Sequence, residues 1–406
     1  MPRPHTVSRR DFLRKAAAST LAAPLFIDSK VFGANDQFTM GCIGMGGRGR
    51  GDMNSALGFK EVRVLAVCDV ATEHRAMAKD MVDKRYETTD TASYNNFRHI
   101  VHRDDIDSVL IGTPDHWHAI IAVEAMKQGK DVYCEKPETL TVREGQIMIE
   151  TARRYGRVFS GGSQRVWGDY NWFHRMVRGG RIGEVREAWV NVGGASGECY
   201  LEPHPTPAGV DWDRWLGPAP KRPFHPTLIK GGFRGYRDYS GGGMTDWGCH
   251  GFGGALFTCN LHETGPVEII PPDGKEYERL TYKFANGVRI YHNGGWDGIL
   301  SFRGTEGEIP NRENPKNKET PPKIYIPNYK GRGGIFGDFV HCVRTRQRPF
   351  RDIAIAHRTA SLCHLGNIAY WLKRPLQWDP VKEEILNDPE ASRWLDRERR
   401  EPWTLA

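Results

Sequence analysis

The 406-residue sequence predicts an α/β domain with a doubly wound parallel sheet, followed by an α+β domain with an open, largely antiparallel sheet. Between residue 38 and residue 160, short apolar runs alternate with helical segments. That alternation is typical of parallel strands covered by helices on both faces. After residue 165, runs of strand character follow one another with turns and few helices between them. This second pattern favours antiparallel pairing.

The first domain is predicted from five apolar runs and the helical segments between them. The runs lie at residues 38–43, 62–68, 108–112, 131–134 and 157–160. A helix is predicted over 118–128, because Gly129 supplies a helix stop. Another helix is predicted over 141–155.

The second domain has strand-like runs at residues 185–192, 267–270, 280–284, 288–293 and 299–304. Residues 336–372 return to helical periodicity. We expect these last helices to pack back on the first domain.

A glycine-rich turn follows the first predicted strand and precedes a segment that can form a helix. In that context the first glycine permits a tight bend, the second lets the backbone approach a pyrophosphate, and the third lets the helix pack on the strand. The phosphates then lie at a helix N-terminus. The turn therefore predicts a Rossmann domain, with cofactor-binding residues Gly44, Met45, Gly46, Gly47, Arg48 and Gly49.

One acidic residue predicts which dinucleotide is bound. Asp69 ends the second apolar run, about 20 residues beyond the last glycine, where a carboxylate can accept hydrogen bonds from both ribose hydroxyls. Val70 follows it, rather than an Arg or Ser that could hold a 2'-phosphate, so NAD is favoured over NADP. Arg48 and Arg75 leave NADP open. The alternative to a dinucleotide site is an ordinary glycine turn and a surface aspartate.

The first residues carry a separate signal. The run from Ser8 to Leu13 contains the paired Arg9 and Arg10 and precedes a short apolar stretch at 16–27, a pattern that resembles a twin-arginine export leader. The stretch is shorter than the roughly 20 residues that span a bilayer, so no membrane span is predicted. We expect export of the folded protein to the periplasm. The alternative is a basic first helix of a cytoplasmic enzyme.

Charge and cysteine content limit the classes of partner. The formal net charge is +7, and residues 1–34 hold six Lys/Arg and two Asp/Glu, so the remainder carries +3. Nucleic-acid binding would need a concentrated basic face, whereas Lys and Arg are interspersed with Asp and Glu here. None of the eight cysteines forms a C-x-x-C pair, and we expect them to be small buried residues rather than disulfides.

Four further motifs follow the glycine turn, at 113–118, 134–137, 241–250 and 304–307. Together with the turn, they make the whole chain after the leader resemble the glucose-fructose oxidoreductase, inositol dehydrogenase and MocA family. The resemblance implies a sugar or polyol substrate, an active site between the two domains, and homo-oligomers formed through the second sheet. We divide the chain into a leader (1–34), an NAD-binding domain (35–164) and a substrate and oligomerisation domain (165–406).

The resemblance also assigns three catalytic residues. The family's lysine in the Glu-Lys-Pro turn corresponds to Lys136, and its Asp-x-x-x-His pair to Asp246 and His250. Oxidation of a hydroxyl needs a base for the O–H proton, which suits an imidazole that titrates near neutrality. On one helix face, Asp246 would orient the ring of His250. Lys136 would polarise the substrate oxygen. The alternative for the Asp/His pair is a structural hydrogen bond at a helix start.

Further residues are assigned to the cofactor or the substrate. Ligands bind at the strand ends of a doubly wound sheet, so the cofactor side is predicted to include Thr113, Pro114, His116, Glu135 and Lys136. Helix capping is the alternative for His116. Substrate contacts are predicted for Gln164, Arg165 and Trp167, with an interdomain salt bridge the alternative for Arg165. No metal site is predicted, because the histidines have no acidic or cysteine partner at ligand spacing.

The leading functional hypothesis is hydride transfer between a secondary hydroxyl of a sugar, polyol or glycoside and NAD. Some relatives cleave glycosides by transient oxidation, elimination and re-reduction, so a redox glycosidase is the alternative. A non-catalytic sugar or nucleotide sensor is disfavoured by the presence of all three polar residues. The family often has an acidic residue shortly after the histidine, whereas this chain has Gly251 to Gly254, so one contact is missing or supplied elsewhere.

Overall fold

The computed structural model describes residues 37–295, 298–310, 319–325 and 329–405. The predicted twin-arginine leader lies outside the described residues. Within them, no helix combines the length and the apolar character that a membrane crossing requires.

The first domain is built on a parallel sheet. Its strands are β1 (Phe38–Ile43), β2 (Val62–Cys68), β3 (Ala92–Tyr94), β4 (Ser108–Ile111), β5 (Asp131–Cys134) and β6 (Phe159–Gly161), in the spatial order β3-β2-β1-β4-β5-β6. The helices between them are α1 (Gly47–Leu57), α2 (Thr72–Tyr86), α3 (Arg98–Val101), α4 (Asp115–Lys127) and α5 (Val142–Arg154). The strand order reverses between β1 and β4, which is where such sheets bind ligands.

The second domain is built on an eight-stranded sheet. Its strands are β7 (Val185–Val190), β8 (Glu268–Ile270), β9 (Thr281–Lys283), β10 (Arg289–His292), β11 (Leu300–Gly304), β12 (Glu308–Ile309), β13 (Leu376–Asp379) and β14 (Glu384–Ile385), in the order β12-β11-β7-β10-β9-β8-β13-β14. The β7–β10 pair is parallel and the other pairs are antiparallel. The fold class predicted from the sequence is therefore confirmed.

Helices of the second part of the chain cover this sheet and connect it to the first domain. They are α6 (Gln164–Trp167), α7 (Asn171–Arg178), α8 (Trp212–Leu216), α9 (Pro226–Ile229), α10 (Gly243–Asp246), α11 (Gly248–Thr258), α12 (Gly334–Thr345), α13 (Ile353–Leu372) and α14 (Pro389–Ser392). Short 3-10 turns lie at Gly232–Gly235 and Arg393–Leu395.

Several element boundaries differ from the predictions. β1, β2 and β5 have the predicted bounds, whereas the last strand of the first sheet begins two residues later than predicted, at Phe159. β3 was missed because three residues at a sheet edge carry too short a pattern to detect. Helix α4 begins at Asp115, three residues before the predicted start. Pro114 supplies its extended N-cap, and an aspartate in the first turn interacts favourably with the helix dipole.

Helix α13 packs on α5, so the second part of the chain covers one face of the first domain. Arg153 of α5 donates to Asp352, the N-cap of α13, with Nη1 3.0 Å from Oδ2. Gly145 allows the close approach of the two helices, because a Cβ there would lie 1.9 Å from Nδ1 of His357. The two domains therefore share a packed interface beside the cleft.

Residues 393–405, which we call the strap, run back across both domains. Arg400 donates from Nε to the carbonyl oxygen of Gly217 at 2.8 Å. Trp403 packs edge to face on Trp117 of α4, with ring centroids 4.7 Å apart. The strap therefore ties a loop of the second domain to a helix of the first.

Candidate active site

The glycine turn between β1 and α1 has the space that a pyrophosphate needs. Gly44 adopts a φ of +81°, which favours glycine. A Cβ on Gly49 would lie 1.9 Å from the Gly44 carbonyl oxygen, so the helix packs directly on the turn. A Cβ on Gly46 or Gly47 would meet nothing within 4 Å, and both residues line a cleft at the start of the 11-residue α1. The residues present therefore fit a dinucleotide phosphate.

The cleft has a volume of about 670 Å³ and is lined by residues of both domains. Asp69 lies at the end of β2 on its wall. Its Oδ1 accepts the backbone N–H of Ala71 at 2.8 Å and lies 3.4 Å from Nδ1 of His74. The hydrogen bond to Asp69 raises the pKa of His74. The Asp69 side chain is thus held at the position predicted for ribose recognition.

The second domain closes this end of the cleft with residues 209–211. The backbone N–H of Thr72 donates to the Gly209 carbonyl at 2.8 Å, and that of Asp211 donates to the Val70 carbonyl at 3.0 Å. Trp403 of the strap also lines the cleft. The wall beside Asp69 is therefore fixed by main-chain hydrogen bonds and by the strap.

Arg48 is held by two acidic side chains. Its Nη2 lies 2.6 Å from Oδ1 of Asp52 and 2.9 Å from Oε1 of Glu135. Burial and the neighbouring Glu135 raise the pKa of Asp52 to about 8. With the Gln164 amide oriented to satisfy its hydrogen bonds, its oxygen accepts from Arg48 at 3.0 Å. Gln164 and Glu135, predicted separately, thus meet at Arg48.

An ion pair joins the two domains at the predicted catalytic residues. Nζ of Lys136 lies 2.5 Å from Oδ1 and 2.9 Å from the carbonyl oxygen of Asp246. Nε of Arg234 lies 3.2 Å from the same Oδ1. Burial raises the pKa of Asp246, but the charges of Lys136 and Arg234 outweigh it and hold the pKa below its ordinary value. Asp246 is therefore a carboxylate that fixes two cations.

His250 differs from the prediction in two ways. The chain between the two residues is split at Trp247 into α10 and α11, and the carboxylate of Asp246 binds Lys136 and Arg234. Nδ1 of His250 is buried and has no hydrogen-bond partner among the described residues. Burial, and then the nearby cations, lower the pKa of His250 well below its ordinary value. The expectations of an Asp-oriented ring and of titration near neutrality are therefore corrected.

Of the residues after β4 that were predicted to contact the cofactor, the structure places some in the cleft and buries another. Thr113 and Pro114 line the cleft. The ring of His116 is instead buried between the domains, with Nε2 2.9 Å from the carbonyl oxygen of Trp215. The next side chain, Trp117, lines the cleft in its place. This correction follows from the early start of α4, which places both residues in the first helical turn.

All three residues predicted to contact the substrate lie on α6, where Gln164 meets Arg48. Arg165 forms an ion pair with Asp169, one turn further along the chain, so its salt bridge is not interdomain. Trp167 is stacked on Tyr329, with ring centroids 3.8 Å apart, and its edge meets Phe350. Arg165 is half-buried and accessible, whereas the indole of Trp167 is engaged in packing.

Sequence reasoning missed two charged residues of the site. Asp115 is 4% exposed and accepts a hydrogen bond from Ser240 Oγ at 2.5 Å. Burial raises the pKa of Asp115 to about 7. Because Asp115 lies inside the motif at 113–118, the sequence could have indicated that it belongs to the site. Arg234 lies in the 3-10 turn Gly232–Gly235, whose sequence has no recognisable motif, and only the fold places it beside Asp246.

A parallel sheet with this turn at its first crossover, closed by a second domain that adds charged groups to the cleft, is the architecture of a nicotinamide-dependent oxidoreductase. Residues 38–163 match the NAD-binding Rossmann fold of the Gfo/Idh/MocA oxidoreductase family, and residues 188–405 match its C-terminal alpha/beta domain. The chain belongs to this family, as its motifs predicted.

The curated relatives match part of the chain. A glycosyl hydrolase family 109 protein of Shewanella baltica is 31% identical over 173 residues, which cover 37% of this chain and 38% of the relative. An alpha-N-acetylgalactosaminidase of Shewanella oneidensis is 31% identical over 175 residues, with the same coverage of 37% and 38%. The chain thus spans less than half the length of these relatives.

The solved structures match over most of the chain. A myo-inositol 2-dehydrogenase of Lactobacillus plantarum has a TM-score of 0.59 and 15% identity, covering 84% of this chain and 99% of its own. An aldose-aldose oxidoreductase of Caulobacter crescentus has a TM-score of 0.57 and 17% identity, with coverage of 84% and 99%. At such low identity, these similarities establish the shared fold.

Proposed function

We propose that the protein transfers hydride between a secondary hydroxyl of a sugar, polyol or glycoside and a bound nicotinamide dinucleotide. The observation that carries the proposal is the Lys136–Asp246 pair, which joins the first domain's Glu-Lys-Pro turn to the start of the segment bearing His250. A charged lysine, a fixed carboxylate and a neutral imidazole thus meet where the two domains meet. That set can handle both the proton and the charge that develop when a hydroxyl is oxidised.

Each residue has a separate task in this proposal. When bound, the nicotinamide ring supplies the hydride acceptor. His250 is neutral at physiological pH and accepts the O–H proton. Nζ of Lys136 donates to the substrate oxygen and stabilises its developing negative charge. Asp246 is a positioning residue, because its Oδ1 holds Nζ of Lys136 at 2.5 Å.

We propose NAD as the dinucleotide, with NADP less favoured. The carboxylate of Asp69 supports this choice, since it can accept from ribose hydroxyls and would repel a 2'-phosphate. Arg48 and Arg75 are the two arginines that leave NADP open, and Nη1 of Arg75 donates to the carbonyl oxygen of Asp69 at 2.6 Å. The side chain of Arg48 is engaged elsewhere. It is held by Asp52 and Glu135, so its charge is already paired.

The experiment that tests the proposal measures cofactor and turnover on the same preparation. Protein made with its own leader is denatured, and the nicotinamide dinucleotide released per chain is quantified together with its redox state. The native protein is then mixed with a panel of aldoses and polyols, and reduction of the nicotinamide is followed by absorbance. Protein that binds no dinucleotide, either as isolated or after addition, would refute the proposal.

Variants assign the roles. We expect Lys136→Met and His250→Asn each to lower kcat by about 100-fold or more, while dinucleotide binding persists. Lys84→Met is the matched control, because Lys84 is exposed and pairs with Asp80, one helical turn away. Equal turnover of Lys136→Met and the control would contradict the assigned role.

A redox glycosidase is the second candidate, and the glycosyl hydrolase family 109 relatives favour it. Such an enzyme would oxidise a glycoside, eliminate the aglycone, add water to the resulting double bond and return hydride to the ketone. Nitrophenyl glycosides, including the α-N-acetylgalactosaminide, separate the two activities. Release of nitrophenol without net reduction of the nicotinamide supports the glycosidase, and a ketosugar with net reduced nicotinamide supports the dehydrogenase.

We also propose that residues 1–34 direct export to the periplasm and that the eight-stranded sheet mediates homo-oligomers. The paired Arg9 and Arg10 support export, and cell fractionation of the double Arg→Lys variant tests it. The family resemblance supports oligomers through this sheet, on which the partly exposed Tyr291 stacks on the buried Trp189 of the neighbouring strand. Light scattering of the purified protein measures the oligomeric state directly, and a monomer would refute this part.

A further inference from the structure

Two arginines beside the catalytic residues have no task in the hydride-transfer step. Arg234 contacts Asp246, and Arg165 lies over the ring of Trp247. Both therefore lie against the segment that leads into His250. Neither is needed to pair Lys136, which already has Asp246.

The guanidinium of Arg234 is fixed on three sides. Nε lies 3.2 Å from Oδ1 of Asp246, and Nη1 donates to the Gly231 carbonyl at 3.2 Å. Its central carbon lies 4.7 Å from the centre of the Phe233 ring. Within the described part of the chain these contacts use Nε and Nη1, so Nη2 can donate to a ligand. The side chain is 42% exposed and lines the cleft. A guanidinium held in this way can donate from Nη2 to an oxyanion, in a hydrogen bond between charged partners.

Arg165 adds a second cation beside an aromatic surface. Its guanidinium carbon lies 4.9 Å from the centre of the Trp247 ring. That ring is 6.1 Å from the ring of His250 and is 41% exposed. An accessible indole next to the proposed base offers an apolar face to a sugar ring, and its neighbouring arginine can reach a charged substituent.

Several cations act on the ring of His250, and Arg48 and Arg165 among them are also paired with carboxylates. After burial, every main influence that lowers the pKa of its ring is a cation, namely Lys136, Arg165, Arg351 and Arg48. Asp246 supplies one negative charge to two cations.

We infer that the substrate is a sugar that carries an oxyanion, either a carboxylate or a sulfate ester, and that Arg234 and Arg165 bind this group. The inference rests on the proposed function and specifies its substrate class. Hydrogen bonds between charged partners are shorter and stronger than neutral ones. The anion would therefore fix the ring relative to Lys136 and His250 before hydride transfer.

The test compares matched sugars in the holoenzyme. Initial rates of nicotinamide reduction are measured for glucuronate against glucose, galacturonate against galactose, and a sulfated sugar against its parent. The first two pairs test whether a carboxylate on the sugar lowers KM, and the third tests whether a sulfate ester does. The proteins are wild type, Arg234→Gln, Arg234→Lys, Arg165→Gln and the control Arg237→Gln. Arg237 lies on a neighbouring turn, where it pairs with Glu198 over Trp394 and does not line the cleft.

We expect the KM of one anionic class to be lower than that of its neutral partner. Loss of a charged hydrogen-bond donor in Arg234→Gln should raise that KM about 10- to 100-fold and leave the KM of the neutral sugar unchanged. Arg165→Gln should act in the same direction, and Arg234→Lys should recover part of the affinity. The control should match wild type.

Equal KM values for neutral and anionic sugars, or an equal rise for both in Arg234→Gln, would overturn the inference while leaving hydride transfer intact. If no sugar is oxidised, the proposed function fails, and calorimetric binding of the same pairs decides the inference separately. Preferential binding of the anionic partner then supports it, and binding without preference overturns it.

Discussion

The glycine turn and the helix after it allow the cofactor site to be tested separately from the fold, through three single Gly→Ala substitutions. A Cβ on Gly46 would meet no atom within 4 Å, and its φ of −62° suits alanine. We therefore expect Gly46→Ala to fold with an unchanged Tm. The added methyl would occupy the space in which the backbone approaches the pyrophosphate. NAD affinity should fall although the protein remains intact.

The magnitude follows from the contact that is lost. A hydrogen bond to a charged phosphate is worth about 1.5–3 kcal/mol, so displacement of one such bond should raise Kd about 10- to 150-fold. Isothermal titration calorimetry of nucleotide-free protein with NAD measures this change, and differential scanning fluorimetry measures Tm.

Two neighbouring glycines serve as controls. Gly51 is exposed within α1 and a Cβ there meets nothing within 4 Å, so Gly51→Ala should raise stability by about 0.5–1 kcal/mol and leave Kd unchanged. A Cβ on Gly49 would lie 1.9 Å from a backbone oxygen, so Gly49→Ala should destabilise by about 1–3 kcal/mol or more. An unchanged Kd in a stable Gly46→Ala protein would refute the assignment of this turn to the pyrophosphate.

Three further predictions concern the cleft and the buried histidines. Trp403→Ala removes the aromatic contact of the strap with Trp117, worth about 0.5–1.5 kcal/mol, so bound nucleotide should dissociate about 2- to 10-fold faster in stopped-flow fluorescence. Asp69→Asn should raise the Kd of NAD about 10-fold in equilibrium titration and reduce the preference of the protein for NAD over NADP. An unchanged preference would contradict ribose recognition by Asp69. Burial lowers the pKa values of His174 and His364 to about 3 from 6.5. Below pH 6.5 the unfolded chain therefore binds more protons than the folded protein. As the pH is lowered from 6.5 to about 3, the free energy of unfolding should decrease by up to about 1.4 kcal/mol per pH unit for each histidine. The free energy of unfolding of His364→Gln, measured in urea, should decrease less steeply on acidification than that of wild type. The same pH dependence in both proteins would contradict this account.

The parts of the site that could be predicted are those encoded by short segments. The turn at 44–49 is a local motif, and the position of Asp69 follows from the strand before it. Lys136 and Asp246 were each assigned through the family's motifs, whereas their ion pair, with Nζ 2.5 Å from Oδ1, came only from the structure. The expected contact between Asp246 and the ring of His250 is replaced in the structure, because the carboxylate binds Lys136 and Arg234.

The sequence by itself determined the alternation of strands and helices, the phosphate turn and the family, since each depends on residues close together in the chain. Tertiary structure alone decided which charges meet. Arg234 reaches Asp246, and Arg400 reaches Gly217 across 183 positions, in segments whose local patterns carry no such signal. The state of His250 was decided in the same way, because burial and the summed field of distant cations set the pKa of its ring. Such fields depend on distance in space, and a single sequence does not record that distance.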